Sequence, residues 1–347
     1  MSAATSVGIP TGAWTAEVET LGACPVCASS VRTLLYPEMR DIVFRVAPGS
    51  WNMFQCGTCD CRYLDPRPSR SSILLAYDAY FTHEKPNDES LLAPRTLPRR
   101  LRNDYLAARF GYALPNREPF GRFVVQAVPP RRRRYERLVR DLSAPQKTGA
   151  RLLDVGCGNG EFLVRMRDLG WHVSGQEPDP KAASVVRSLG IEVSEAPLGP
   201  GSFNEPFDAI TLHHVIEHVH DPIEILRACR ALLAPGGTLW LATPNAGSFA
   251  ARRFGRNWLA LDCPRHLVVF GVRSLDLALE RAGFSERSVK ADIGKYGSVG
   301  TAVEVARRTR GGKSLHPLEV RLQNAFGDLV MLLSPSLGDD LVARARA

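Results

Sequence analysis

The chain has 347 residues, of which 44% are hydrophobic and 23% charged, values typical of a globular protein with room for one large domain and a smaller one. No apolar run approaches the roughly eighteen residues that a membrane-spanning helix needs, and the N-terminus lacks the basic and apolar regions of a secretory signal, so we expect a cytoplasmic protein. The net charge of +8 is compatible with an anionic partner, and its excess arginine is concentrated between Arg95 and Arg140.

Residues 1–16 show no periodic pattern and are predicted to be disordered. The segment 17–70 carries two Cys-x-x-Cys pairs separated by strand-like hairpin sequence: Cys24 and Cys27, then Cys56 and Cys59. Clustered cysteine pairs in a cytosolic protein favour a metal over a disulfide, and four thiolates suit tetrahedral zinc. The spacing therefore predicts a zinc ribbon with a closed, structural metal site, with a redox pair or unliganded thiols as alternatives. Cys61 is either a spare thiol or a replacement for Cys59.

Residues 71–145 are predicted to form a basic helical connector. A helix is expected from Ser71 to Tyr80 and another from Arg131 to Leu142, with short helices and proline-interrupted loops between them. The block Arg131–Arg134 could attract nucleic acid, an anionic lipid headgroup or a nucleotide-linked substrate, or form only a solvated helix face. The sequence leaves these alternatives open.

Residues 146–347 alternate strand-like and helix-like segments, which predicts a doubly wound α/β sheet. The expected strands cover residues 151–155, 172–177, 191–194, 207–212, 238–242 and 288–293. The expected helices cover residues 161–169, 181–189, 223–233 and 274–282. Residues 245–270 form an insertion that we expect to roof the site. The apolar stretch Leu315–Leu333 predicts a helix in the core or a homodimer interface rather than on a membrane surface, and residues 340–345 a final edge strand.

The first strand of this domain runs into three glycines at alternate positions, Gly156, Gly158 and Gly160, and a helix begins at Glu161. A strand, a turn that glycine permits and a helix N-terminus together form a cradle for a ligand. The third glycine comes one residue earlier than in the dinucleotide-binding fingerprint. Glu177 ends the second strand about twenty residues on, where an acid binds ribose hydroxyls in nucleotide-binding folds. The alternative is a solvent-exposed acid at a strand end.

Four sequence blocks occur in order and with matching spacing: L-D-V-G-C-G-N-G-E, G-Q-E-P-D-P, F-D-A-I-T-L-H-H-V-I-E-H-V-H-D-P and L-L-A-P-G-G-T-L-W-L-A-T-P-N. Together they resemble class I S-adenosylmethionine-dependent methyltransferases, and E-H-V-x-D-P is similar to the ubiquinone-biosynthesis O-methyltransferase branch. The cysteine ribbon followed by Y-L-D-P-R-P-S resembles a bacterial subgroup with an N-terminal zinc module. The insertion of that subgroup is matched by Trp258, Leu261, Pro264, His266 and Leu267. The resemblance implies a Rossmann-like methyltransferase fold and S-adenosylmethionine as cofactor.

The resemblance also implies a set of cofactor-binding residues. The backbone of the glycine loop, at Gly156, Cys157, Gly158 and Gly160, would meet the methionine part of the cofactor. Asp154 would orient the loop and the ammonium group, and Glu177 would hold the ribose. Glu195 would lie near the adenine, and His213 would border the sulfonium. Cys157 is interpreted as a buried filler, since methyl transfer needs no covalent enzyme intermediate.

Four polar residues follow the fourth strand or face it from the insertion: His214, Glu217, His218 and His266. Open α/β sheets bind ligands at this end, and histidine suits proton removal near neutral pH. His214 or His266 is predicted to be the base for a hydroxyl acceptor, with Glu217 and His218 supporting it. The alternative for Glu217 and His218 is a capping role. The spacing of His214 and His218 could also suit a metal, but no third ligand is evident.

The leading functional prediction is methyl transfer to a hydroxyl of a small molecule, sugar or glycolipid intermediate. One alternative is an RNA methyltransferase that grips RNA with the ribbon and the arginine-rich segment. Another is a non-catalytic S-adenosylmethionine-binding protein. The charge supports the RNA alternative, whereas the absence of an N-P-P-Y signature and of aromatic residues interleaved with basic ones in the ribbon argues against it.

Overall fold

A computed structural model describes residues 12–77, 91–93, 96–199, 201–292, 303 and 316–347. Of residues 1–16, which were predicted to be disordered, residues 1–11 lie outside the described residues, as do the end of the helix expected at Tyr80 and the start of the helix expected at Leu315. Residues 12–16 are described, and the Trp14 ring packs against Trp51 with centroids 5.3 Å apart, contrary to the prediction. Within the described residues, a short 3-10 helix covers Ile73–Tyr77, where a longer helix was expected.

The strands and helices of the described residues follow one another in the expected alternation. The strands are β1 (Val18–Glu19), β2 (Arg32–Met39), β3 (Trp51–Cys56), β4 (Arg62–Leu64), β5 (Arg67–Pro68), β6 (Arg151–Val155), β7 (His172–Gln176), β8 (Glu192–Ser194), β9 (Phe207–His213), β10 (Leu233–Pro244), β11 (Val268–Val269), β12 (Glu286–Asp292) and β13 (Asp340–Arg346). The helices are α1 (Leu97–Phe110), α2 (Gly121–Gln126), α3 (Pro129–Leu138), α4 (Glu161–Asp168), α5 (Pro180–Ser188), α6 (Pro222–Leu232), α7 (Phe249–Phe254), α8 (Val272–Arg281) and α9 (Pro317–Leu333).

The main sheet has seven strands in the described part of the chain, in the order β12-β13-β10-β9-β6-β7-β8. Its strands β10, β9, β6, β7 and β8 are parallel, and β13 is antiparallel to both of its neighbours. The predicted doubly wound α/β sheet is therefore confirmed. The prediction that residues 340–345 form an edge strand is wrong, because β13 lies between β10 and β12 and the edge strand is β12.

The second sheet combines the N-terminal segment with the insertion. Its order is β11-β4-β3-β2, and the short insertion strand β11 pairs antiparallel with β4. The side chain of Arg265, fully buried, joins the two parts: its Nη2 lies 2.6 Å from Asp41 and 2.6 Å from Asp262. The insertion is thus held against the cysteine-rich segment by backbone pairing and by a buried ion-pair network.

The connector helix α3 ends at Leu138, four residues earlier than predicted, because Arg140 and Asp141 adopt left-handed backbone conformations (φ 46° and 54°). Part of its arginine block has a structural role. The Arg133 guanidinium pairs with Glu136 at 3.0 Å and with Asp292 at 3.4 Å, so it ties the connector to β12.

Helix α9 matches the predicted apolar helix, but it leaves a row of large side chains exposed. These are Leu318, Leu322, Phe326, Leu329 and Leu333, each more than half exposed. The homodimer interface predicted there stays a prediction. Among the described residues, no helix combines the length and the apolar character required to cross a membrane.

Candidate functional site

The glycine loop joins β6 to α4 in a conformation that only glycine adopts without strain. Gly156, Gly158 and Gly160 have φ values of 65°, 56° and 78°. A Cβ atom on Gly156 would lie 2.5 Å from Cγ2 of Val215, so a side chain there would also collide with the segment after β9. The Gly156 backbone N–H donates to the Gln176 carbonyl at 2.7 Å. The loop is therefore a rigid cradle fixed to the end of β7.

Glu177 lies at the rim of this cradle. Its Oε2 accepts a hydrogen bond from the Gly158 N–H at 2.8 Å, and its Oε1 accepts one from the Asp179 N–H at 3.0 Å. The residue is only 9% exposed, and burial raises the pKa of its carboxyl group despite these bonds. Glu177 is therefore not the solvent-exposed acid of the alternative interpretation.

Asp154 lies beneath the loop and is almost fully buried. Its Oδ1 forms an ion pair with Arg140 and accepts a hydrogen bond from the Thr211 hydroxyl at 2.9 Å. Its Oδ2 is buried without a hydrogen-bond partner in the described part of the chain. Oδ1 of Asp154 thus anchors Arg140 at the end of the connector, and Oδ2 is left to accept a hydrogen bond from a ligand.

The other predicted cofactor residues are spread around the cradle. Burial raises the pKa of the Cys157 thiol well above its ordinary value, in keeping with a neutral filler rather than a nucleophile. Glu195 follows β8 and pairs with Arg187 on the surface. His213 ends β9, where its ring stacks on Trp240 with centroids 5.9 Å apart.

His214 is held between two carboxylates. Its Nδ1 lies 3.0 Å from Oε1 of Glu217, and its Nε2 lies 3.6 Å from Oδ2 of Asp340. Burial favours the neutral imidazole, but the Asp340 and Glu217 charges outweigh it and raise the pKa of His214 to about 10. A histidine that is already protonated near neutral pH cannot accept a proton, so this geometry disfavours His214 as the base.

His218 and His266 form a second pair, with ring centroids 4.6 Å apart. Nδ1 of His266 lies 2.8 Å from the Ala260 carbonyl and Nδ1 of His218 lies 3.1 Å from the Arg265 carbonyl. Because a carbonyl only accepts, each Nδ1 is assigned a proton, and in the neutral form of each ring the lone pair is then on Nε2. Burial and the nearby His266 lower the pKa of His218 to about 4, so His218 is neutral near pH 7.

Two groups of side chains in the described part of the chain could hold a metal ion. The sulfur atoms of Cys24, Cys27, Cys56 and Cys59 all lie within 4.8 Å of one another, with Cys24 to Cys59 at 3.6 Å and Cys27 to Cys56 at 3.4 Å. Tetrahedral zinc with bonds of about 2.3 Å separates its sulfur ligands by about 3.8 Å, so the four thiols fit it.

The second group is Glu217, His218 and His266; it contains His218 but not His214, so it is not the pair that the sequence spacing suggested. However, Oε1 of Glu217 bonds His214, and its Oε2 accepts the Thr243 hydroxyl at 2.9 Å. A metal ion bound here would therefore compete with His214 and Thr243 for the carboxylate of Glu217.

Three contributors to the site were missed at the sequence level. The Tyr77 hydroxyl lies 3.0 Å from Nδ1 of His218, Asp340 faces His214, and Arg140 binds Asp154. They come from the connector and the last strand, each remote in sequence from its partner. No local motif marks them, since only the tertiary fold brings them to the site.

Part of the chain is similar to known proteins. Residues 130–289 match a family model described as a methyltransferase domain. Ubiquinone biosynthesis O-methyltransferase of Xanthomonas campestris pv. campestris (strain B100) is 39% identical over 131 residues, covering 34% of this chain and 53% of the relative. The enzyme of the same name from Cereibacter sphaeroides is 38% identical over 139 residues, covering 36% and 55%. The chain spans about half the length of the curated relatives it matches.

Solved structures were compared as well. An S-adenosylmethionine-dependent methyltransferase from Archaeoglobus fulgidus covers 66% of this chain and 100% of its own, with 18% identity and a TM-score of 0.40. CalS10, an amino pentose methyltransferase from Micromonospora echinaspora, covers 27% of this chain and 42% of its own, with 31% identity and a TM-score of 0.25. The segment that matches the methyltransferase-domain model, residues 130–289, contains the five parallel strands β6 to β10 of the main sheet.

Proposed function

We propose that the protein transfers a methyl group from S-adenosylmethionine to a hydroxyl of a small molecule, sugar or glycolipid intermediate. The observation that carries the proposal is the buried carboxylate of Glu177, which is fixed to the glycine loop where an acid can bind a ribose. The methyltransferase domain of residues 130–289 and relatives named as O-methyltransferases support it.

The residues of the cradle fit the cofactor. The backbone from Gly156 to Gly160 would hold its methionine part, and the free oxygen of Asp154 would accept from its ammonium group. Glu177 would accept from the ribose hydroxyls, Glu195 would flank the adenine and His213 would border the sulfonium. When bound, S-adenosylmethionine supplies a methyl group activated by positive sulfur.

His266 is the base that the geometry favours. Its Nδ1–H is fixed on the Ala260 carbonyl, so Nε2 is the atom that accepts a proton from the acceptor hydroxyl. His218 is held neutral beside it and would orient the acceptor. His214 and Glu217 form a buried ion pair, and their role is to fix the loop after β9 rather than to move a proton.

The four cysteines are proposed to bind a structural zinc ion that stabilises the ribbon, with Cys61 outside the ligand set. The insertion, residues 245–270, would then form the roof of the cleft, since it pairs with β4 of the ribbon and carries His266. A closed four-thiolate site leaves no coordination position for substrate.

The proposal is tested by measuring release of S-adenosylhomocysteine with pools of hydroxylated acceptors. We expect His266→Asn to lower kcat by about 10²–10⁴-fold while cofactor affinity is unchanged. The matched control is His172→Asn, which alters an exposed histidine at the start of β7. Cofactor binding without release from any pool would instead support the non-catalytic alternative, and normal turnover of His266→Asn would remove it from the base role.

A further inference from the structure

The connector carries an exposed apolar and basic surface, which we call the 117–134 face. Its apolar part consists of Phe120, Phe123, Val124 and Val128, which are 69%, 66%, 42% and 39% exposed. Residues 117–134 contain six arginines and one glutamate, a net charge of 6 − 1 = +5. Exposed aromatic side chains within a basic segment are not needed for a core and are typical of an interaction surface.

The charge of this face is only partly used inside the protein. Arg132 and Arg133 turn towards Glu136, whereas Arg131 and Arg134 are exposed and have no ion pair among the described residues. Arg117 is likewise exposed and unpaired in the described part of the chain. The acid of the segment, Glu118, pairs with Arg100 at 3.0 Å. The positive charge beside the phenyl rings therefore faces outward.

Backbone strain at Phe120 is a second, independent observation. Phe120 has a φ of 75° and precedes α2, in a left-handed conformation that a bulky residue rarely adopts. Glycine would adopt it without strain. The following residue, Gly121, approaches the Leu101 carbonyl so closely that a Cβ atom would lie 2.3 Å from its oxygen, and this contact fixes the turn. The chain thus keeps a phenylalanine where neither burial nor backbone preference favours one.

We propose that the 117–134 face binds reversibly to an anionic membrane surface, with Phe120 and Phe123 inserted at the interface and Arg117, Arg131 and Arg134 against the headgroups. The positive charge of the 117–134 face favours an anionic membrane as the partner, because outward-facing arginines are attracted to anionic headgroups. The phenyl rings then add apolar burial, and stable surface binding needs two such signals together. Single-stranded RNA could also use the arginines for its phosphates and the phenyl rings for base stacking, so RNA binding is one of the outcomes that the test distinguishes.

The test is co-sedimentation of the full chain with vesicles. We expect binding to vesicles that mix phosphatidylcholine with phosphatidylglycerol, weaker binding as salt rises, and none to pure phosphatidylcholine. Phe120→Gly with Phe123→Ser should lower the affinity by about tenfold or more. Arg131→Gln with Arg134→Gln should lower it by about 30-fold, since each arginine near such a surface contributes about 1 kcal/mol.

Matched variants separate this role from a structural one. Phe120→Gly removes the left-handed strain, so its melting temperature should equal or exceed that of the wild type while vesicle binding falls. Arg252→Gln with Arg253→Gln makes the same charge change at exposed positions on α7, and Leu318→Ser with Leu322→Ser makes an apolar-to-polar change on α9. Neither control should alter vesicle binding.

Three results would overturn the proposal. The first is that the wild-type protein does not bind anionic vesicles. The second is a loss of vesicle binding in the α7 or α9 control equal to that in the 117–134 variants. The third is binding of single-stranded RNA that depends on Arg131 and Arg134, or on Phe120 and Phe123, with no vesicle binding. Because none of these assays measures methyl transfer, their failure is distinct from failure of the proposed function.

Discussion

His214 is a fixed positive charge at the end of β9, and this property follows from its two neighbours. Glu217 and Asp340 flank its ring at 3.0 and 3.6 Å. Burial disfavours the charged form of each residue, but the charges of the partners outweigh it. The pKa of His214 therefore rises from 6.5 to about 10, and the pKa of Glu217 falls from 4.5 to about 2. The stability from His214 is therefore fully present below pH 6.5 and lost as pH rises through 10. The stability from Glu217 is present above pH 4.5 and lost as pH falls through 2.

A variant tests this assignment directly. His214→Gln leaves Glu217 buried without its cation, whereas Asp340 keeps its ion pair with Arg137 at 2.7 Å, so we expect the free energy of unfolding to fall by about 3–5 kcal/mol at pH 6. The wild type should also lose stability between pH 6.5 and 10, whereas the variant should lose less over that range. Urea unfolding at several pH values measures both effects, with His172→Gln as the exposed control. Equal pH profiles for the wild type and His214→Gln would show that His214 is not held protonated.

At the scale of the element, the proposed zinc site of the cysteine-rich segment can be tested through its four thiols. Metal analysis of the purified protein should find about one zinc per chain, because four thiolates complete a tetrahedral site. The double variant Cys24→Ser/Cys56→Ser should lose the metal and expose β2 to β4 to proteolysis.

Cys61→Ser is the matched control for this experiment, since Cys61 is buried beside the site but lies outside the group of four. We expect it to keep the metal. Loss of zinc in Cys61→Ser with retention in Cys24→Ser/Cys56→Ser would reassign the ligands.

The elements of the methyltransferase domain were predictable because their hydrophobic patterns are local. Strands β6 to β10 and helices α4 to α6 follow from the alternation of the sequence, with ends within a few residues except for β10, which begins at Leu233 and ends at Pro244. The place of β13 between β10 and β12 was not predictable, since strand order depends on pairing between distant segments. The end of α3 at Leu138 also escaped prediction, because Arg140 leaves the helix to reach Asp154.

The same distinction holds within the candidate site. The glycine loop and Glu177 could be named from spacing alone, because each lies at a strand end of a recurrent unit. The charge state of His214 could not, since it depends on Asp340, more than a hundred residues away in the chain. The choice between His214 and His266 as base therefore required the tertiary contacts.

At the scale of the whole molecule, a buried network joins the N-terminal segment to the insertion. Nη1 of Arg265 lies 3.0 Å from Asp41 and 3.0 Å from the Ala76 carbonyl, and its Nη2 bonds Asp262 at 2.6 Å. Three parts of the chain thus meet at one guanidinium. Because His266 is the next residue, the network also fixes the proposed base.

Removal of this guanidinium should loosen the docking of the N-terminal segment on the insertion. Arg265→Met leaves Asp41 and Asp262 buried without a cation, so we expect a loss of about 3–5 kcal/mol. Calorimetry should then show the unfolding of the ribbon separating from that of the main sheet. Arg273→Met is the control, since the side chain of Arg273 is 69% exposed. A single transition at the wild-type temperature in Arg265→Met would contradict the role of the network.

The central claim is that the cradle between β6 and β7 binds S-adenosylmethionine, and calorimetric titration of the whole chain tests it most directly. We predict saturable binding of about one cofactor per chain in the wild type and in the control Asp168→Ala, which alters an exposed acid at the end of α4. Glu177→Ala should keep its fold and lose about 30-fold or more in affinity, since buried charged hydrogen bonds contribute about 2 kcal/mol. Absence of binding in the wild type, or unchanged affinity in Glu177→Ala, would contradict the account.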